Sequence, residues 1–150
     1  MEHKKVLIAE DDKDITEILS LYLEKNNFEI YIADNGKKAL NIVQTKKIDI
    51  ALVDIMMPIM NGYELIKEIR KKSHIPVIII SAKNMEKDKI LGLDIGADAY
   101  ITKPFNPLEV VANVKAIIRR CYKYEEENFL GMILVPKEIS SNKIVNFNKN

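Results

Sequence analysis

Cysteine is nearly absent. The only one, Cys121, excludes an intrachain disulfide framework and a thiolate metal cage. Glycine and proline are sparse at five each, and no low-complexity tract or internal repeat interrupts the chain. No charge sign dominates: 23 Lys and Arg against 22 Asp and Glu give a net charge of +1. That balance removes any general electrostatic reason to bind nucleic acid or an acidic membrane surface. Long apolar runs are missing too, since stretches such as residues 77–80 are far too short to span a bilayer. Only four apolar residues, 6–9, follow the first five, so the core of a secretion signal is lacking. What remains is 150 residues with 47% hydrophobic and 30% charged side chains, the composition of one globular domain with a short appendage. A reduced, cytoplasmic setting with no membrane partner is the expectation.

Short β-branched runs recur at residues 6–9, 28–33, 50–53, 77–80 and 99–101. Val77-Ile78-Ile79-Ile80 shows no polar alternation, as befits a strand buried on both faces. Amphipathic stretches separate the runs. Ile15, Ile18, Leu19, Tyr22 and Leu23 fall at helical spacing, and similar segments cover about 37–44, 63–71, 86–95 and 107–120. Five alternations of strand and helix predict an α/β fold, a parallel sheet with helices on both faces and right-handed crossovers. The punctuation agrees: Asp11 or Asp12 can cap the first helix, Asn35-Gly36 opens the second, Pro58 and Asn61-Gly62 mark a loop, and Pro104 and Pro107 bracket the last entry.

The pattern changes near residue 122. Residues 122–128 are polar, and two strand-like fragments, 132–135 and 143–147, flank Ser140-Ser141-Asn142. A segment of 29 residues, 122–150, is too short to bury a core of its own, so the tail reads as cut off.

In an open parallel sheet, ligands bind beyond the carboxyl ends of the strands. Glu10, Asp11 and Asp12 follow the first run, Asp54 the third, Ser81 and Ala82 the fourth, and Thr102, Lys103 and Pro104 the fifth. Clustered carboxylates need a neutralising partner, and a hard divalent cation such as Mg²⁺ suits oxygen ligands that leave room for water and phosphate. Lys103 can pair with a carboxylate or an anionic ligand, and the Ser81 hydroxyl can donate to the same anion. The set suffices for phosphoryl transfer onto a carboxylate. Each member alone has a plainer reading: acids before a helix cap it, Ser81 can be a polar strand end, and Lys103 can be a solvated lysine. The weight lies in their joint appearance at successive strand ends.

These residues carry a family resemblance. Val-Leu-Ile-Ala-Glu10-Asp11-Asp12, Leu-Val-Asp54-Ile-Met-Met-Pro58, Ile-Ile-Ser81-Ala82 and Tyr100-Ile-Thr-Lys103-Pro104-Phe105 resemble, in order and spacing, the motifs of a bacterial response-regulator receiver domain over about residues 4–121. Gly62 and the stretch 92–98 fit as well. The resemblance implies a flavodoxin-like (βα)₅ fold with strand order 2-1-3-4-5, a receiver over residues 1–121, and Asp54 as phosphoacceptor from a sensor histidine kinase. It implies Mg²⁺ held by Asp11, Asp54 and the Met56 carbonyl, with Glu10 acting through water. Ser81 and Lys103 would bind phosphoryl oxygens, and the Lys103–Pro104 bond would be cis. Tyr100 would be the switch aromatic moving with Ser81, although a half-buried strand tyrosine reads the same way. Met56 and Lys83 would tune dephosphorylation, and neither side chain orients water well, so self-hydrolysis is expected to be slow. Such a domain is not an enzyme in the ordinary sense, because it catalyses only its own phosphorylation and dephosphorylation.

The receiver is most similar to the OmpR/PhoB subfamily, which implies a phosphorylation-driven homodimer through the fourth helix, fifth strand and fifth helix. Ile90, Leu93 and Ala112 would form its apolar patch, with Lys89–Glu109 and Asp98–Arg120 pairs across the two-fold. A third usual pair is missing, since Ala99 and Asn113 replace an acid and a base. The fragments in 122–150 resemble the first strands of a winged-helix effector domain. DNA contact would therefore come only through the part of that domain the tail lacks. A stand-alone receiver acting by protein contact or phosphorelay is the alternative. An aspartyl phosphatase would want an acid where Met56 stands, and a flavin module would want a glycine- or hydroxyl-rich loop where Glu10-Asp11-Asp12 stand. Rossmann and Walker loops are absent as well.

Overall fold

The computed structural model describes residues 3–123. Five strands alternate with five helices: β1 (Lys5–Ala9), α1 (Lys13–Lys25), β2 (Glu29–Ala33), α2 (Gly36–Thr45), β3 (Ile50–Val53), α3 (Gly62–Arg70), β4 (Val77–Ser81), α4 (Glu86–Asp94), β5 (Ala99–Thr102) and α5 (Pro107–Ile118). The strands form one parallel sheet in the order β2-β1-β3-β4-β5, the flavodoxin-like arrangement. The chain separates into two compact units, residues 1–114 and 115–150, and the whole sheet lies in the first. In the second, the described residues are the end of α5 and a π-helical turn, Arg119–Lys123, where a plain α-helix is expected from the sequence. The expected linker and effector fragments of 122–150 lie, beyond residue 123, outside the described residues.

β1, β3 and β4 are the central strands, and the β-branched runs Ile50–Val53 and Val77–Ser81 are buried at every position. β2 is an edge, with Ile32 half exposed. The second strand begins at Glu29 rather than Phe28. Asn27 takes a left-handed turn (φ 67°), and the Asn27 and Phe28 amides close back onto the carbonyls of Glu24 and Leu23, which ends α1 and leaves Phe28 in the turn. Ser81 and Thr102 fall inside the sheet as register partners, not after it, which extends the polar strand ends by one residue.

Helix starts follow local chemistry. Asp12 caps α1 by accepting from the Asp14 and Ile15 amides, and Asn35 caps α2 through the Lys38 amide. Asn61 and Glu64 form a reciprocal capping box at α3. A Cβ on Gly62 would collide with the Asp54 carbonyl and sit 2.7 Å from Ile55 Cα, so α3 can begin against the end of β3 only with glycine there. Among the described residues, no helix is long and apolar enough to cross a membrane.

Candidate functional site

The sheet's own hydrogen bonds fix the rim where the acidic and basic side chains meet. The Glu10 amide donates to Ala33 O at 2.9 Å, the Asp54 amide to Ala9 O at 2.9 Å, and the Lys103 amide to Ser81 O at 2.9 Å. Each of these residues therefore leaves its strand at a register-defined point. The Lys103–Pro104 bond is cis.

Side chains converge from three strand ends. Lys103 Nζ lies 2.6 Å from Glu10 Oε1 and 3.0 Å from Asp54 Oδ2. Both carboxylates are buried, at 4% and 5% exposure, and an unpaired charge there would be costly. Asp54 Oδ1 accepts from the Met56 amide at 3.1 Å, and Glu10 Oε2 from the Asp12 amide at 3.1 Å. Asp11 is exposed beside them, and carboxylate oxygens of Glu10, Asp11 and Asp54 all lie within 4.8 Å of one another. Asp12 points its carboxylate at the first turn of α1 instead, so the acidic run supplies two groups to the cluster and one to the helix cap.

One ammonium faces two buried carboxylates, and the electrostatics follow from that imbalance. Burial pushes the Glu10 carboxyl up to about 7, with the charge of Asp54 acting in the same direction and the bond from Lys103 opposing both. Burial would lower the Lys103 ammonium, but its hydrogen bonds to Glu10 and Asp54 outweigh that and raise it. A divalent cation fits this donor set: three mutually repelling oxygen donors, two of them buried, with an exposed third that leaves one side of the cluster open.

Ser81 is wholly buried, and its hydroxyl accepts from the Lys83 amide at 3.3 Å. Tyr100 reaches the same loop from β5, donating its hydroxyl to the Lys83 carbonyl at 2.6 Å. Burial pushes the Tyr100 phenol up to about 12, with Tyr63 and Asp88 adding to the shift. An open cleft of about 540 Å³ adjoins the acids, lined by Asp11, Met56, Pro58, Asn61, Tyr63 and Lys83 among others.

The receiver-domain family of response regulators matches residues 6–115. The chain belongs to this family. The receiver is 47% identical over 123 residues to the response regulator GtcR of Aneurinibacillus migulanus, covering 82% of the chain and 51% of GtcR. It thus spans about half the length of that curated relative. Among solved structures, it is similar to the receiver domain of Francisella response regulator 1452 (39% identity, TM-score 0.76, 79% of this chain and 98% of that one). It also resembles the CheY-like receiver from Methanospirillum hungatei JF-1 (28% identity, TM-score 0.74, 79% and 95%).

The receiver thus gathers Glu10, Asp11, Asp54 and Lys103 at one point, with Ser81, Met56, Lys83 and Tyr100 around it. The residues singled out for a dimer, Lys89, Ile90, Leu93, Asp98, Glu109, Ala112 and Arg120, are all exposed. Asp98 is already engaged within the chain, accepting from Arg70 at 3.2 Å and from the Val77 amide at 2.8 Å. Sequence reasoning missed Arg70, because its partners Gly96 and Asp98 lie 26 and 28 residues along the chain and only the folded register brings them together. Lys103, expected to pair with a carboxylate or an anionic ligand, makes its shortest bond here to Glu10.

Proposed function

We propose that the receiver takes a phosphoryl group on Asp54 from a phosphohistidine of a sensor histidine kinase. The observation that carries this reading is a buried Asp54 carboxylate held between Lys103 and the Met56 amide, beside Glu10 and Asp11. An oxygen of Asp54 attacks phosphorus, the phosphorus–nitrogen bond breaks, and the imidazole departs with the electron pair, leaving a mixed anhydride on Asp54. Asp11, Asp54 and the Met56 carbonyl would hold Mg²⁺, with Glu10 acting through water. When bound, the cation neutralises charge that builds on the phosphoryl oxygens. Lys103 then exchanges a carboxylate for a phosphoryl oxygen, and the Ser81 hydroxyl donates to another. Tyr100 follows the Ser81–Lys83 loop, to which its hydroxyl is bonded. Met56 and Lys83 stand at the mouth, and neither provides a base for water, which favours slow self-hydrolysis.

In the same reading, phosphorylation drives an OmpR/PhoB-type homodimer through α4, β5 and α5. Exposed Ile90, Leu93 and Ala112 supply an apolar patch, with Lys89–Glu109 and Asp98–Arg120 as pairs across the two-fold. The Asp98 pair has to share a carboxylate already bonded to Arg70, which weakens that contribution. Residues 122–150 would be a linker and the first strands of a winged-helix effector that controls transcription in the cytoplasm.

Intact mass after incubation with acetyl phosphate and Mg²⁺ tests the chemistry. One added phosphoryl group, lost in Asp54→Asn and with EDTA, is the expected result. An unchanged mass with both acetyl phosphate and phosphoramidate, in folded protein, would overturn it.

A further inference from the structure

Gly92 lies in the last turn of α4 (Glu86–Asp94), still inside the helix, where glycine is unfavourable relative to alanine. It is not among the residues with positive φ, so backbone freedom does not account for it. Space does. A Cβ at this position would lie 2.5 Å from Ile79 Cδ1 and 3.3 Å from both Cδ2 and Cε2 of Tyr100. Ile79 and Tyr100 are register partners on β4 and β5, so the bare Cα rests on a cross-strand pair. Gly92 is also the single buried residue of α4. The buried part of the helix therefore faces this cross-strand pair, and the ring of Tyr100 is one of its two members.

The other end of the ring is equally constrained. Its hydroxyl donates to Lys83 O at 2.6 Å, two residues past Ser81. On the α3 side, Tyr63 Oη lies 3.4 Å from the carbonyl of Asp88 in the first turns of α4. A rigid aromatic bar thus runs from the loop beside Ser81 to the underside of α4, whose outer face exposes Ile90, Leu91 and Leu93.

We propose that Gly92 is a positioning residue: its missing side chain is the seat that lets the Tyr100 ring reach the Lys83 carbonyl, linking the phosphoacceptor site to the outer face of α4. The functional half rests on the phosphoacceptor reading above; the seating of Tyr100 does not. A methyl group at 92 has to be met by retreat of the ring or of Ile79. Since the receiver responds only as far as the seated state is populated, displacing the ring lowers that response in proportion.

The full chain labelled with 3-fluorotyrosine provides the test, with the Tyr100 signal assigned by its loss in Tyr100→Phe. Gly92→Ala alone could simply unfold the protein against Ile79. The informative variant is therefore Ile79→Val/Gly92→Ala, compared with Ile79→Val, because valine lacks the Cδ1 that the new methyl meets. In a cooperatively folded double variant, the Tyr100 fluorine resonance is expected to move toward that of free fluorotyrosine without any phosphodonor present. The rate of acetyl phosphate uptake is expected to fall by at least about twofold, and beryllofluoride-induced shifts at the α4 amides to shrink with it. In a Tyr100→Ala background, Gly92→Ala should change uptake no further. An unmoved Tyr100 resonance in the double variant would overturn the seating itself. A moved resonance with unchanged α4 response to beryllofluoride would overturn the coupling. Lack of any phosphoryl uptake in the unsubstituted chain would count against the phosphoacceptor reading while leaving the fluorine comparison decisive.

Discussion

Arg70 Nη2 donates to Asp98 Oδ2 at 3.2 Å, and the same oxygen accepts from the Val77 amide at 2.8 Å. Arg70 also donates to the carbonyls of Gly96 (3.0 and 2.7 Å), Ile75 (2.6 Å) and Ser73 (3.3 Å). One guanidinium thereby ties the end of α3 to the turns that precede β4 and β5, on the side of the sheet opposite the acids. Burial lowers its pKa and Asp98 opposes that, so the carbonyl bonds offset the lost hydration. Arg70→Met is expected to cost about 2–3 kcal/mol in urea denaturation, because several carbonyls lose a charged donor. Asp98→Asn should cost about 1 kcal/mol or less, since it keeps an acceptor for Val77 and loses only a partly exposed ion pair. The reverse ranking would mean that the ion pair, not the carbonyls, holds this corner.

Lys103 is the neutralising charge for two buried acids. Lys103→Met is expected to lower stability by about 3 kcal/mol in metal-free buffer, the cost of leaving a buried charge unpaired. Millimolar Mg²⁺ should restore much of that. Asp54→Asn should do the opposite, raising metal-free stability by about 1 kcal/mol and blunting the Mg²⁺ effect. Urea midpoints with Mg²⁺ and with EDTA read both. Equal losses under the two conditions would show that Lys103 acts through packing alone.

Ile59 is the centre of a three-residue turn closed by the Met60 amide on Pro58 O at 2.7 Å, with φ at +70°. A β-branched residue is strained in that conformation. Its side chain is 76% exposed, so little burial compensates. Ile59→Gly is expected to stabilise the receiver by about 1 kcal/mol. A loss of stability in thermal or urea melts would show that the turn relies on contacts of the isoleucine.

The Tyr100 phenol, raised to about 12 chiefly by burial, gives a pH dependence with a definite sign. Above pH 10 an unfolded phenol ionises while the folded one stays protonated, so stability falls as pH climbs from 10 toward 12. Lys103 titrates in the same direction: its folded pKa is raised, so its contribution holds below its ordinary value and is lost as pH rises through the raised one. Tyr100→Phe should therefore flatten, without abolishing, the alkaline fall in urea midpoint. A slope identical to that of the unsubstituted chain would place the phenol at its ordinary value.

The order of elements is legible because buried parallel strands need unbroken β-branched runs such as Val77–Ile80, and no helix among the described residues shares that pattern. The site is legible for a related reason. Residues just past parallel strands share one rim, so Glu10, Asp54, Ser81 and Lys103 could be grouped from spacing alone. The Arg70 clasp could not be, since nothing near Arg70 in sequence marks its partners 26 and 28 residues away. Gly92 was legible only as the start of the 92–98 stretch, because the side chains it faces, Ile79 and Tyr100, belong to two other elements. Asp12 was legible for the opposite reason: an acid directly before a helical pattern is a cap, and of the two candidates, Asp11 and Asp12, it is Asp12 that takes that place.

The bond from the Asp54 amide to Ala9 O sets a clock as well as a distance. β1 and β3 are adjacent central strands, and strands in a sheet run about 4.8 Å apart. Separating Glu10 from Asp54 therefore requires breaking the middle of the sheet. Hydrogen exchange at the Asp54 amide should be among the slowest in the chain, tracking global unfolding, whereas the Lys83 and Met85 amides before α4 exchange through local opening. The acidic pair keeps its spacing for as long as the molecule stays folded, and conformational change is left to the side of the site built on the edge strand, β5.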